Sequence, residues 1–366
     1  MPGTVAVIER GIQEGLHLGA QVYVSVRGKP VADFVVGEAR PREPLTPNAI
    51  LLWMSSTKPV GAIAVGQLLE RGQLSLDDRV ARHIPEFGVK GKGPITIRNL
   101  LTHTGGFRNV NVGDAGTPWD ETISRICCAP LEDGWAVGET AGYHPESSWF
   151  ILGDLVRRVD GRRFEDYVRQ RIFEPLGMVD SWVGMPPGQY ETYGERVAPM
   201  FNTRVPPPAP LALTDEAHAT RCVPGASGFG PIRELGKLYE TVLAGLLSNE
   251  TPILRPNTIR AMTRRERQGK VDRTWGQVMD WGLGFIVNSR RYGPATPYGY
   301  GDHASESTFG HSGAQSSSAF ADPGRGLVAA YVFNGMPGEP KHQRRVRQIT
   351  NAIYQDLGFA DSESPR

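Results

Sequence analysis

Met54-Ser55-Ser56-Thr57-Lys58-Pro59 runs into Val60-Gly61-Ala62-Ile63-Ala64-Val65-Gly66-Gln67-Leu68-Leu69. A three-residue step is almost one helical turn, so Ser55 and Lys58 share a helix face within side-chain reach. A serine hydroxyl is a weak nucleophile unless a neighbour takes its proton. A lysine can take it only if its ammonium is destabilised, by burial or by another cation. The apolar run after Pro59 would bury the start of such a helix. The plain alternative is a serine N-cap beside a solvated lysine. A lone Ser-x-x-Lys is weakly specific, so the rest of the chain has to decide.

A chain of 366 residues can build one large domain or two moderate ones. Its 39% hydrophobic and 22% charged residues are ordinary for a soluble globular protein. The formal net charge is +1 and no basic run stands out, which argues against nucleic acid or an anionic membrane as partner. No apolar stretch approaches the roughly 18 residues that span a bilayer. Met1 to Glu14 lacks the basic and apolar regions of a signal peptide, so a cytoplasmic location is expected. Cys127 and Cys128 are adjacent, and Cys222 is remote. That spacing reads as three reduced thiols; no metal-ligand cluster or cofactor site is predicted.

Val5, Ile8, Ile12 and Leu16 predict an amphipathic helix over 4–18. Gln21 to Val26 and Pro30 to Val36 read as a hairpin about Gly28-Lys29. The helix carrying Lys58 should run to about Arg71. Short helices are expected over Thr96–Thr102, Ser147–Val159 and Phe164–Phe173, with Asp160-Gly161 separating the last two. The Pro- and Gly-rich stretch 184–230 is too long for an idle connection and suits the wall of a binding site. Helical patterns return at Ile232–Leu247 and Pro256–Thr263. Strands are predicted over Gly282–Val287, Ser316–Ala321 and Gly326–Phe333, then a last helix over Gln343–Leu357. Strands at both ends with helices between suggest one α/β domain built from both termini. It would comprise residues 1–85 and 225–366, with a mainly helical insertion over 86–224 and the active site between them.

Three more segments bear on the same chemistry: Leu100-Leu101-Thr102-His103-Thr104-Gly105-Gly106, Ala141-Gly142-Tyr143-His144-Pro145 and His311-Ser312-Gly313. Together with Ser55-x-x-Lys58, this ordered set resembles the serine β-lactamase and penicillin-binding-protein superfamily. The match is closest to the branch of class C β-lactamases and β-lactamase-like carboxylesterases, and covers about residues 5–355. It includes Leu74-Ser75-Leu76-Asp77-Asp78, Glu174-Pro175-Leu176-Gly177-Met178 and Trp281-Gly282-Leu283-Gly284. The resemblance implies a β-lactamase/DD-peptidase-like α/β (α+β) fold: an antiparallel sheet flanked by helices, with a helical insertion. It implies Ser55 as the acylated nucleophile, with Lys58 and Tyr143 as an acid–base pair. A phenol near an ammonium should ionise more easily, and the pair could share one proton. The backbone N–H groups of Ser55 and Ala314 would form the oxyanion hole. His311, Ser312 and Gly313 would line the substrate. His103 is read as structural, and Trp53, Phe150 and Trp281 as core.

Two departures shape the substrate expectation. Many relatives have Tyr-x-Asn, whose amide helps hold a β-lactam side chain; here that position is Pro145. Many have Lys-Thr-Gly; here it is His311-Ser312-Gly313, without the fixed cation that binds a carboxylate. Both point away from an efficient β-lactamase or D-Ala-D-Ala peptidase and toward a small-molecule ester or acyl donor. The alternatives are an acyltransferase on the same site, a β-lactam or amide hydrolase, and a non-catalytic binding protein, which should have lost one of the three side chains. No Gly-x-Ser-x-Gly elbow or nucleotide-phosphate loop occurs. No oligomeric state is read from the sequence.

Overall fold

Along the first strand, β1 (Gly19–Val26), Ala20, Val22 and Val24 alternate with Gln21, Tyr23 and Ser25, and all of them are buried. Successive side chains of a strand point to opposite faces, so a strand with no exposed side has to be covered twice. The computed structural model, which describes residues 1–248, 251–294 and 296–360, shows how. β1 sits inside an antiparallel sheet with β2 (Lys29–Arg40), β3 (Glu43–Pro44), β4 (Asp280–Trp281), β5 (Ile286–Val287), β6 (Phe309–Ser312), β7 (Ser317–Asp322) and β8 (Leu327–Phe333). The spatial order is β4-β5-β6-β7-β8-β1-β2-β3, so the C-terminal strands meet the N-terminal hairpin at the β8–β1 seam.

On one face, Ala20, Val22, Val24, Ala329, Tyr331 and Phe333 pack beneath two terminal helices, α1 (Pro2–Gln13) and α5 (Glu339–Asp356). The Asp356 carboxylate ties these helices together, accepting from the amides of Gly3 (3.0 Å) and Thr4 (2.8 Å). On the other face, Tyr23, Val328, Ala330 and Val332 join a larger core with α2 (Lys58–Glu70), α3 (Ser147–Asp160) and α4 (Ile232–Leu247). This is the expected α/β architecture, an antiparallel sheet flanked by helices with helical segments inserted between its halves. Among the described residues no helix is long and apolar enough to cross a membrane.

Local departures have local causes. The first helix ends at Gln13, not 18, because Gly15 turns left-handed (φ 67°) and Leu16 N–H closes back on the Gly11 carbonyl. The single strand expected over Gly282–Val287 is instead a tight hairpin. Asp280 and Trp281 pair with Val287 and Ile286 across a turn that needs Gly284 at φ 81°. The stretch 184–230 contains a helix (Pro187–Tyr193) and short strands rather than plain loop. The amphipathic helix Trp119–Cys128 has no counterpart in the sequence reading. The last helix begins at Glu339, before the expected Gln343. Residues 361–366 of the C-terminal part lie outside the described residues.

Candidate active site

Ser55 opens a 3-10 turn, Ser55–Thr57, that leads directly into α2 at Lys58. Met54, just before it, is left-handed (φ 51°), a conformation that costs a non-glycine residue about 1–3 kcal/mol. Met54 is held there by a bridge to Ser227 and by Thr57 Oγ1, which donates to its carbonyl at 2.6 Å. Pro59 lies in the first turn of α2, where a missing N–H is harmless. The helix is buried continuously from Lys58 to Leu68, so the lysine is carried into the core rather than solvated.

Lys58 Nζ has three oxygen neighbours: Ser55 Oγ at 3.0 Å, the Pro145 carbonyl at 2.7 Å and the Gly225 carbonyl at 2.9 Å. No carboxylate forms an ion pair with it among the described residues; its other neighbours are the Tyr143 and Trp149 rings, 5.0 and 5.5 Å from Nζ. Burial pulls its pKa down to about 7, with the Glu146 charge acting in the opposite direction. A neutral amine has two N–H bonds and one lone pair. The two carbonyls take the two N–H groups, which leaves the lone pair facing Ser55 Oγ.

The Tyr143 hydroxyl donates to Ser55 Oγ at 2.8 Å. Its amide donates to Asp272 Oδ1 at 3.0 Å, and Asp272 Oδ2 pairs with buried Arg267 at 3.0 Å. His103 and Trp281 brace the ring, with centroids 4.8 and 5.8 Å away. The expectation of an easily ionised phenol is reversed. Burial pushes its pKa up; Glu146, Asp272 and Glu339 reinforce the shift, and the hydrogen bond with Ser55 opposes it. This direction favours a protonated phenol in the resting site.

β6 packs against the Ser55–Thr57 turn. His311 lies inside this strand, just ahead of β7. Gly313 is required by proximity: a Cβ there would lie 2.3 Å from the Trp53 carbonyl oxygen and 2.8 Å from Met54 Cβ. Ser56 Oγ donates to the His311 carbonyl (3.1 Å), and Ser317 Oγ to that of Trp53 (2.6 Å), stitching the sheet to the turn that carries Ser55. The amides of Ser55 and Ala314 have no acceptor among the described residues. After Ala314 the chain turns left-handed at Gln315, whose carbonyl is held at 2.8 Å by the buried guanidinium of Arg345. His311 Nδ1–H donates to the Ser312 carbonyl at 2.9 Å. Burial, then the Lys58 charge, keeps this imidazole well below its ordinary pKa, and its Nε2 has no partner among the described residues. The Ser312 hydroxyl turns to Ser318 Oγ at 3.0 Å.

Ser55, Lys58, Tyr143, His311 and Gly313 thus converge from three separate segments. His103 is structural, its Nδ1 accepting the His144 amide at 3.1 Å, and Trp53, Phe150 and Trp281 are core. Ser56, Trp149, Arg267, Asp272, Trp275 and Ser317 escaped the sequence reading. The hydroxyls and tryptophans carry no motif. Asp272 meets Tyr143 across 129 positions of chain, with no local pattern to announce it.

The model of the family described as Beta-lactamase matches residues 5–353. Esterase EstB of Burkholderia gladioli is 28% identical over 375 residues, covering 91% of each chain. Among solved structures, a family VIII carboxylesterase is similar at 27% identity and TM-score 0.79, over 97% of this chain and 96% of that one. A penicillin-binding-protein homologue from Caulobacter crescentus is similar at 28% and TM-score 0.77, over 96% and 97%. A match over nearly the whole length, on a fold that brings the expected side chains together, places the chain in the beta-lactamase family, close to its class C β-lactamase-like carboxylesterases.

Proposed function

We propose that this chain, a hydrolase by family, is a serine carboxylesterase working through an acyl-enzyme on Ser55. The observation that carries the reading is the pair of contacts on Ser55 Oγ, from Lys58 Nζ at 3.0 Å and the Tyr143 hydroxyl at 2.8 Å. Neutral Lys58 takes the Ser55 proton as Oγ attacks the ester carbonyl. The amides of Ser55 and Ala314 hold the oxyanion. The Tyr143 hydroxyl gives its proton to the departing alkoxide and regains one from Lys58. Water then attacks the acyl carbonyl, loses its proton to the same pair, and Ser55 Oγ leaves protonated.

Ester rather than lactam is favoured by two positions. Pro145 offers Lys58 its carbonyl and the substrate no amide. His311 is buried and neutral where a fixed cation would bind a substrate carboxylate. The names of the similar esterase and carboxylesterase point the same way. The cleft is proposed to lie between the part formed by 1–85 and 225–366 and the insertion 86–224. The test is turnover of a short-chain chromogenic ester and a chromogenic cephalosporin by wild type and Ser55→Ala. Ester turnover well above cephalosporin turnover, lost in the variant, is expected. Preferred cephalosporin turnover would contradict the ester assignment.

A further inference from the structure

Beyond the reacting atoms, one side of the site is an aromatic wall. Trp275, half-buried in the loop after Asp272, lies 4.6 Å from the Tyr143 ring, centroid to centroid. Tyr298 packs edge-on against Trp275 at 5.6 Å. The Tyr298 hydroxyl donates to Glu339 Oε2 at 2.9 Å, so the wall ends in a carboxylate. A second carboxylate, Glu146, follows Pro145, whose carbonyl binds Lys58. Glu146 and Glu339 are both half-buried, and neither forms an ion pair among the described residues. Arg221 and Arg345 feel their fields but stay beyond ion-pair distance. His311 lies beside the same Tyr143 ring, 6.1 Å between centroids, a neutral imidazole with a buried Nε2 that has no partner among the described residues. Since Nδ1 donates to a carbonyl, that Nε2 is a bare acceptor. Aromatic faces, carboxylates and an imidazole lone pair all attract positive charge and repel negative charge.

We propose that the site selects esters carrying a cationic, ammonium-type group, which the Tyr143–Trp275–Tyr298 wall and the carboxylates Glu146 and Glu339 hold beside Ser55. This rests on the esterase reading, and specifies its substrate class. A cation over aromatic rings gains most when partly desolvated, as it would be here. The unpaired carboxylates would add a longer-range attraction that salt weakens.

The test compares acetylcholine with 3,3-dimethylbutyl acetate, which differ only in nitrogen against carbon at the quaternary centre. Hydrolysis is followed by proton release in a pH-stat at pH 8. The cationic ester should show a kcat/KM about tenfold higher at low ionic strength, with the ratio shrinking as salt is added. Glu339→Gln, Glu146→Gln and Trp275→Leu should each lower that ratio. The salt series on wild type keeps the test decisive if a variant folds poorly. Equal or faster turnover of the neutral ester overturns the inference and leaves the esterase reading standing. Turnover of neither ester by folded wild type overturns both.

Discussion

Titrating Lys58 is the most informative perturbation of the proposed chemistry. An ordinary lysine, with pKa 10.5, would be about 0.3% neutral at pH 8 and a poor base. Burial without an ion-pair partner brings Lys58 to about 7. Its neutral fraction is then about 90% at pH 8 and about 1% at pH 5. If the neutral amine is the base, kcat/KM for a neutral ester should rise about 90-fold between those limits and flatten above pH 8. The assay is initial rates in the pH-stat, with circular dichroism at each pH to confirm folded protein. Lys58→Arg supplies the control, because a guanidinium stays protonated in this range. It should lose roughly 100-fold or more at pH 8. A rate that climbs steadily to pH 10, a flat profile, or a near-normal Lys58→Arg enzyme would refute the reasoning.

Two other outcomes follow from the same site. Tyr143→Phe removes the proton held against Ser55 Oγ and should cost roughly 100-fold or more in kcat, measured on an ester with a poor leaving group; a near-normal rate would assign the acid elsewhere. His17, His103, His144, His311 and His342 are all held below the ordinary imidazole pKa, chiefly by burial. The unfolded chain therefore binds more protons once pH falls through about 6.5, so stability present above that pH is lost below it. All five shifts have the same sign, so their losses of stability add as pH falls from 7 to 5.5. Urea midpoints across that range should fall steeply, and an unchanged midpoint would contradict the neutral, buried assignments.

The Ser55–Lys58 pairing was legible because it is local: one helical turn sets it, and a continuous apolar run behind Pro59 is what a fully buried helix needs. Strand order was partly legible. The hairpin of β1 and β2 and the apolar C-terminal strands could be seen, but their meeting at β8–β1 joins residues more than 300 apart and leaves no periodic trace. The phenol's behaviour was not legible. Proximity to a lysine suggests easy ionisation, whereas burial and the carboxylates of Glu146, Asp272 and Glu339 decide the opposite, and two of these come from distant segments. Gly313 looked like one more motif glycine; only the 2.3 Å approach of a would-be Cβ to the Trp53 carbonyl explains why no other residue fits.

The central claim is a covalent intermediate on Ser55. Its most direct test is rapid acid quench of wild type during turnover of a short-chain ester, followed by intact-mass and peptide analysis. One acyl group per chain, located on the peptide containing Ser55 and missing in Ser55→Ala, is the expected result. Ester turnover that persists in Ser55→Ala, or an acyl group on another residue, would contradict it.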